Sequence, residues 1–597
     1  MSLVELIFTL IKIAVILLFC LGFAGALTWN DRRMSSMIQD RIGPNRARFV
    51  LPQPLARALF AGPALLVAAG VGAWGWLTSF PDTAAGAHRS TERILLASEL
   101  SILLLWVVLA LLTTWAVRRG PSNALEEFLA KEVKDPRLVF YAGLFAHVAA
   151  LVLRYGLRGS ELGASMKPFL LLAAPTTLAV LIALCGLIAA SKVPAEGFKL
   201  RLIGLLHTMA DGLKMFWKED FVPKRGDKLL HSVAPMIALF PPLVVFAVIP
   251  FGDVLCFATA ADGGIQWNQV IPVVSQHGIC AEGGIPMQIS NIEIGILFIF
   301  AISGTGILGA AIGGWASDNK YSLLGGLRAA GQMVSYEVTL GMTLVGLFMI
   351  YSTLRLDDMV RWQGNNAWGI FVQPLAFFLF FIAATAETKR IPFDLPEGES
   401  EILGYFTEYS SMKFGMFFFA EYIEVVTSSA IMVTLFLGGW YLPFLHRDGI
   451  TIAIGDAVLF KYSMTHGSVV AVQVIAFFLK VVAFAWLQVV VRWTLPRFRY
   501  DQLMRLCWRI LLPLSVANVF VTAILLLIAD NMSVAAKTGL SVAGDVAQLV
   551  TLIAILTACV ALVRWLLMPV KKERTVLTSS AKMAEEAGGT KQSPMQA

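Results

Sequence analysis

Charge is scarce in this chain. Of its 597 residues only 15% are Asp, Glu, Lys or Arg, and 57% are hydrophobic, against roughly a quarter charged and about half apolar in soluble domains. The imbalance excludes an ordinary soluble fold and makes lipid the main solvent. Cysteine is scarce as well. The six cysteines, Cys20, Cys185, Cys256, Cys280, Cys507 and Cys559, contain no CxxC pair and no close Cys/His set, so a metal or iron–sulfur centre in this chain has little support. No GxGxxG follows a predicted strand, which excludes a nucleotide-binding domain. Two internally similar halves, a common mark of secondary transporters, are also missing. Glu5 precedes the apolar run Leu6–Leu27 where a signal peptide would carry basic residues, and no small-residue cleavage site follows, so the run reads as a retained first helix.

Thirteen segments have the roughly 20 apolar residues that a bilayer-crossing helix requires. They lie near 4–28, 56–79, 94–117, 138–156, 169–191, 231–251, 292–314, 334–354, 369–387, 414–441, 467–492, 508–529 and 546–569. The chain is therefore predicted to be an all-α polytopic membrane protein of about 13 transmembrane helices, with amphipathic helices at the interfaces. The net charge of +7 is gathered in short segments between the apolar runs, which points to membrane topology and not to nucleic acid. With the N-terminus outside, Arg32, Arg33, Arg41, Arg46 and Arg48 fall inside. So do Lys389 and Arg390, the run Arg492–Arg509, and Lys571 and Lys572. An odd number of spans then leaves the C-terminus inside. Residues 571–597 are too poor in apolar side chains to fold. Cys256 and Cys280 share one extramembrane loop, where a disulfide and two free thiols stand as equal alternatives.

Five inward segments carry unusual polar density. DRRMSSMIQDRIGPNR, Asp31–Arg46, ends the first helix, and its GPN is a turn signal; its arginines serve equally well as interface anchors. GLLHTMADGLKMFWKED, Gly204–Asp220, has a helical period, with Leu206, Met209, Leu213, Phe216 and Trp217 on one side and Asp211, Lys214 and Lys218 on another. It fits a helix lying at the interface. Ser317–Glu337 places Glu337 at or just inside the start of a spanning helix, and a carboxylate at membrane depth is costly unless it faces a polar cavity or a partner. Glu387–Phe414 gathers Glu387, Asp394, Glu397, Glu399, Glu401 and Glu408. Crowded carboxylates repel one another and hold protons more tightly, a property suited to coupling with charge movement. Pro392, Phe393 and Pro396 argue for a shaped loop over a merely solvated one, and Glu421 and Glu424 carry the acidic row into the next apolar helix. Arg492–Arg509 joins two spanning helices and reads equally as a positive-inside loop.

Together these segments resemble the quinone-chamber membrane subunit of respiratory complex I, called the H subunit in bacteria. The likeness covers residues 1–48 and about 203–529, and it is carried by GWASDNKYSLLGGLRAAGQMVSYE, ETKRIPFDLPEGESE and LPRFRYDQLMRL in the family's order. The resemblance implies an eight-helix core that encloses a quinone cavity with peripheral-arm subunits. It also implies iron–sulfur clusters and flavin in those partners, none in this chain, and antiporter-like membrane neighbours in a bacterial cytoplasmic (inner) membrane. Carried over by position, Arg32, Arg41, Asp211, Lys214, Lys218 and Arg497 would line the quinone cavity. Glu337, Glu387, Arg390, Asp394, Glu397, Glu399, Glu401 and Glu421 would couple it to proton movement.

The chain departs from the family's pattern in four places. Residues 49–202, with four of the predicted spans, separate GPN from the GLL...ADG helix that normally follows it almost directly; an even number of spans preserves sidedness downstream. The loop Asp253–Asn291 is longer than usual. An extra helix follows the core within 530–570. Asp31 stands where the family usually has Glu, and SEILGYFTEY is one residue short, which leaves the geometry around Glu401 and Glu408 open. The rival readings are the related membrane subunit of a proton-coupled hydrogenase and, from another class, a stand-alone secondary transporter.

Overall fold

The computed structural model describes residues 3–39, 204–256, 284–396, 404–447, 449–454, 457–464 and 466–567, with short stretches at 49–51, 198–200, 258–259 and 265–266 and isolated positions between them. Two compact units divide the chain: Met1–Ala47 with Arg201–Leu556, and Arg48–Leu200 with Thr557–Ala597. In the second unit the described residues are the strands β1 (Phe49–Leu51) and β2 (Phe198–Leu200), isolated positions between them, and residues 557–567 at the end of the last helix. The two strands pair antiparallel, Phe49 opposite Leu200 and Leu51 opposite Phe198. The four spans expected between 56 and 191 and the tail 571–597 lie outside the described residues, apart from isolated positions in the first span.

Among the described residues, seven helices are long and apolar enough to cross a membrane, consistent with an all-α polytopic membrane protein. Helix α1 (Leu3–Ile38) extends about ten residues beyond its predicted span. Its buried stripe Ile16, Cys20, Ala24, Leu27 and Asp31 keeps the three-and-four spacing of one helix face, so packing carries the helix past the point where hydropathy ends. α2 (Leu206–Trp217) is the expected amphipathic helix. α3 (Lys228–Val245) is capped by Asp227, whose carboxylate accepts from the Leu229 and Leu230 amides. α4 (Gly295–Ala316) packs against α3 and against α5 (Lys320–Tyr351). Small residues permit the approach: a Cβ on Gly309 would lie 2.7 Å from the Ala238 nitrogen, and one on Gly314 would lie 3.1 Å from the Gly326 Cα, the close-packing device of membrane helices.

α5 starts at Lys320, separated by three residues from the end of α4, and not near 334 as hydropathy suggested. Glu337 therefore sits in mid-helix. After α5 come α6 (Leu356–Asn365), the single turn α7 (Gly369–Val372) and α8 (Pro374–Glu387), separated from α7 by Gln373 and begun by Pro374, which suits a first helical position. α9 (Ser411–Phe436) is the central helix, packed by α1, α2, α3, α8 and α10 (His466–Thr494). α11 (Tyr500–Leu506) runs through a π-helical turn, Cys507–Leu511, into α12 (Leu512–Asp530). The predicted junction Arg492–Arg509 is thus mostly helix, with only residues 495–499 between elements. α13 (Val534–Leu567) begins well before its predicted span. Its buried Gln548 donates to the carbonyls of Gly364 (3.2 Å) and Asn366 (2.8 Å), satisfying groups left open at the end of α6.

Beyond the end of α3, Asp253 accepts from Arg447 (2.7 and 3.0 Å) and Arg361 (3.2 Å). Burial alone would raise its proton affinity, but the two guanidiniums outweigh that and hold the carboxyl below the ordinary range. Cys256, nearby, is disulfide-bonded, which resolves the alternatives for this cysteine; its partner is neither Cys20 nor Cys507, which are free.

Candidate functional site

The site is built where α1, α8, α9 and α10 meet. Asp31, almost fully buried on α1, accepts from the Tyr422 hydroxyl at 2.9 Å and the Trp493 indole at 2.6 Å, and it pairs with Arg492. Arg390, just past α8, lies 3.7 Å from the same carboxylate, 3.3 Å from Glu421 and 3.7 Å from the centre of the Tyr422 ring. Tyr405 donates to the other Glu421 oxygen at 3.3 Å. Two carboxylates, two guanidiniums and two phenols therefore share one buried cluster. Such a cluster is stable only because each charge has a partner.

The acidic loop is shaped, as its prolines suggested. Buried Gln332 of α5 donates to the Ala386 and Phe393 carbonyls at 2.7 and 2.8 Å. The Phe498 amide donates to the Pro392 carbonyl, and the Phe393 and Phe498 rings stack at 5.5 Å. Arg497 donates to the Asp394 carbonyl at 2.6 Å and presses against Gly398, where a Cβ would collide with the guanidinium. Further along, Asn319 donates to Glu408 at 2.8 Å and Ser322 bonds Thr407 at 2.9 Å. Burial pushes the Asp394 carboxyl up to about 6; Arg497 opposes the effect and Glu421 reinforces it.

A second feature is an opening between α1, α2 and α9, lined by Leu21, Gly25, Thr208, Asp211, Met215 and Phe418 among others. A Cβ on Gly22, Gly25 or Gly212 would meet nothing within 4 Å, so these glycines leave the groove clear. Asp211 at its edge is paired with Arg32 at 2.6 Å. The apolar side of α2, Met209, Leu213, Phe216 and Trp217, is exposed. A third space lies among α3, α4, α5, α8 and α9, lined by Glu387, Lys389 and Glu424. Glu337 reaches its neighbourhood by packing on Gly304, whose added Cβ would lie 3.0 Å from the carboxylate.

The sequence-derived residues thus fall into separate groups. Arg32 and Asp211 come together. Arg390 and Glu421 come together in the buried cluster, with Asp394 on the adjoining loop. Glu387 lines the third space, and Glu337 packs beside it on Gly304. Lys214 on α2 and Lys218, which caps its end, are exposed, and Arg497 braces the acidic loop, not the opening. Arg41, Glu397, Glu399 and Glu401 lie outside the described residues. Asp31, Tyr405, Tyr422, Arg492 and Trp493 were not among the expected site residues. Asp31 and Arg492 are 461 residues apart, so no local spacing pairs them, although ionisable groups next to apolar runs were the available signal.

A polytopic helical bundle with a buried cluster of paired acidic and basic side chains defines a class of multi-pass membrane proteins. Residues 196–523 match the family model described as NADH dehydrogenase, more than half of the chain, and the chain belongs to that family. It is similar to the NADH-quinone oxidoreductase H subunit 1 of Cytophaga hutchinsonii, 40% identical over 326 residues, covering 54% of this chain and 84% of the relative. It is also similar to the NADH-quinone oxidoreductase H subunit of Flavobacterium psychrophilum, 43% identical over 326 residues, 54% of this chain and 85% of the relative. A third relative, the corresponding H subunit 2 of Geobacter metallireducens, is 43% identical over 324 residues, covering 54% and 83%.

Proposed function

We propose that this chain is the quinone-chamber subunit of a proton-translocating NADH:quinone oxidoreductase, complex I of a bacterial cytoplasmic membrane, with its N-terminus outside and C-terminus inside. It is a multi-pass membrane subunit of that enzyme and works with the other complex I subunits. In this reading iron–sulfur and flavin groups reside in peripheral-arm partners, antiporter-like subunits adjoin the acidic side, and the chain itself handles quinone and protons.

The observation that carries the reading is the division of labour between two consecutive residues. Arg32 reaches Asp211 at the opening between α1 and α2, while Asp31 turns into the buried cluster with Arg390, Arg492 and Glu421. One turn of α1 thus joins a largely apolar groove to a set of proton-holding groups. A quinone arriving through lipid would pass its tail between the glycine-lined face of α1 and α2, with the exposed Met209, Leu213, Phe216 and Trp217 seated in the membrane interface. Reduction of a quinone to quinol takes two electrons and two protons. Cations at Arg32 and near Lys214 and Lys218 stabilise charge developing on the headgroup, and the acidic loop supplies and recovers protons. Change in the loop's occupancy is a coupling free energy between chamber and cluster, passed on through Glu421 and Glu387.

The test is quinone reductase activity and proton pumping in membranes whose complex carries Asp211→Asn or Glu421→Gln, with assembly verified on a native gel. The expected outcome is at least about a tenfold loss of quinone reduction in assembled complex for either variant, on the scale of lost general acid–base assistance. Full activity and full pumping in both would remove the chamber and coupling assignments.

A further inference from the structure

Two consecutive cations at the end of α8 serve two different acids. Arg390 turns to Glu421 at 3.3 Å, and Lys389 turns the opposite way, its ammonium 3.4 Å from Glu424. The left-handed backbone at Lys389, φ 55°, begins this divergence. Glu421 and Glu424 are one turn apart on α9, so the two ion pairs stand side by side along one helix. They face different spaces: Arg390 lines the cavity shared with Asp31 and Tyr422, whereas Lys389, Glu424 and Glu387 line the one among α3, α4, α5, α8 and α9. Hydroxyl-bearing Ser303, Thr427 and Ser428 border the second space, and Glu337 and Glu424 are near enough to Glu387 to repel it. The Lys389 and Glu424 side chains are only 8% and 17% exposed. A buried ion pair is a poor device for stability, since apolar side chains of the same size serve as well, and an ionisable group at membrane depth points to function.

Resting on the proposed function above, we propose that Lys389 and Glu424 form a relay pair that hands protons from the Arg390–Glu421 cluster to Glu387. A proton reaching Glu424 makes an O–H bond on its carboxylate and breaks the ion pair. The ammonium of Lys389, itself unchanged in protonation, swings to Glu387 in the same cavity. Glu387 then gives up its proton toward Glu337 and becomes the carboxylate that Lys389 neutralises. Transfer of the Glu424 proton to Glu387 restores the starting arrangement, so one proton enters and one leaves in each cycle. Lys389 is a positioning residue here, acting through the two carboxylates.

The experiment compares wild-type complex with Lys389→Arg, Glu424→Gln and the doubly neutral Lys389→Met/Glu424→Gln in sealed vesicles, measuring protons moved per quinone reduced. The double variant leaves no unpaired buried charge, so a merely structural tie would be relieved by it. The relay reading expects the ratio to fall at least threefold in Glu424→Gln and in the double variant, and to be kept in Lys389→Arg. A wild-type ratio in the double variant, loss of the ratio in Lys389→Arg, or failure of the double variant to assemble would each overturn it. A wild-type complex that reduced quinone without pumping, or not at all, would instead overturn the proposed function, so the two failures are separable.

Discussion

Asp31 and Arg32 are neighbours on one turn of α1, yet one is buried and the other nearly half exposed. The difference is energetic as well as geometric. Asp31 is held by two hydrogen bonds and the Arg492 pair inside the bundle, and removing one partner of a buried charge set costs about 3–5 kcal/mol. Asp31→Asn is therefore expected to lower the thermal midpoint of the detergent-purified complex by several degrees, while breaking the solvated Arg32–Asp211 pair through Arg32→Gln shifts it little; equal midpoints for the two variants would refute the distinction. Asp394 gives a pH signature. Its folded value of about 6 lies above the ordinary 3.8, so the fold favours its protonated form. The stabilising effect is complete below about 3.8 and is lost as pH rises through 6. Asp394→Asn should flatten that part of the pH dependence of thermal stability between pH 4 and 7, and an unchanged slope would show that the carboxyl does not titrate there.

At the scale of elements, the decisive contact is between the chain on either side of residues 45–203. Gly204 has φ +89°, and a Cβ there would collide with the Pro44 carbonyl. Pro44 and the start of α2 therefore meet directly, which sets α2 beside α1. Gly204→Ala combines a left-handed backbone with that collision, and each such strain costs on the order of 1–3 kcal/mol. Lower yield of assembled complex and weaker quinone reduction are expected together; normal values of both would mean the contact is dispensable. Helix limits were less legible than helix existence. α1 and α5 both continue through polar residues because Asp31 and Gln332 find buried partners, something no hydropathy window registers.

At the scale of the whole molecule, the antiparallel pairing of Phe49–Leu51 with Phe198–Leu200 brings the two ends of the long segment at residues 49–202 side by side. Leu51 lies opposite Phe198, the arrangement closed by a two-residue turn in hairpins, for which Asn-Gly is well suited. Replacing residues 52–197 by Asn-Gly is thus expected to leave Met1–Ala47 and Arg201–Leu556 able to fold and enter the complex. A native gel showing assembly and an activity assay showing quinone reduction check this, and absence of any assembled complex would mean that the segment is required for the core. Arg41, Glu397, Glu399 and Glu401 lie outside the described residues, so their roles remain the expectations that the family resemblance implies.

The sequence alone determined the membrane class, because lipid selects composition and twenty-residue apolar runs directly, and it determined the acidic loop, because six carboxylates within 22 residues are visible without any fold. It also marked α2 as amphipathic through its period. Only the tertiary structure decided which charges meet: Asp31 with Arg492, Arg390 with Glu421, Lys389 with Glu424, and Arg497 with the backbone of the loop and not with the opening. The reason is that local signals arise from neighbours within a turn or two of helix, whereas these partners lie on different helices, and their pairing is fixed by the packing of α1, α8 and α10 around α9.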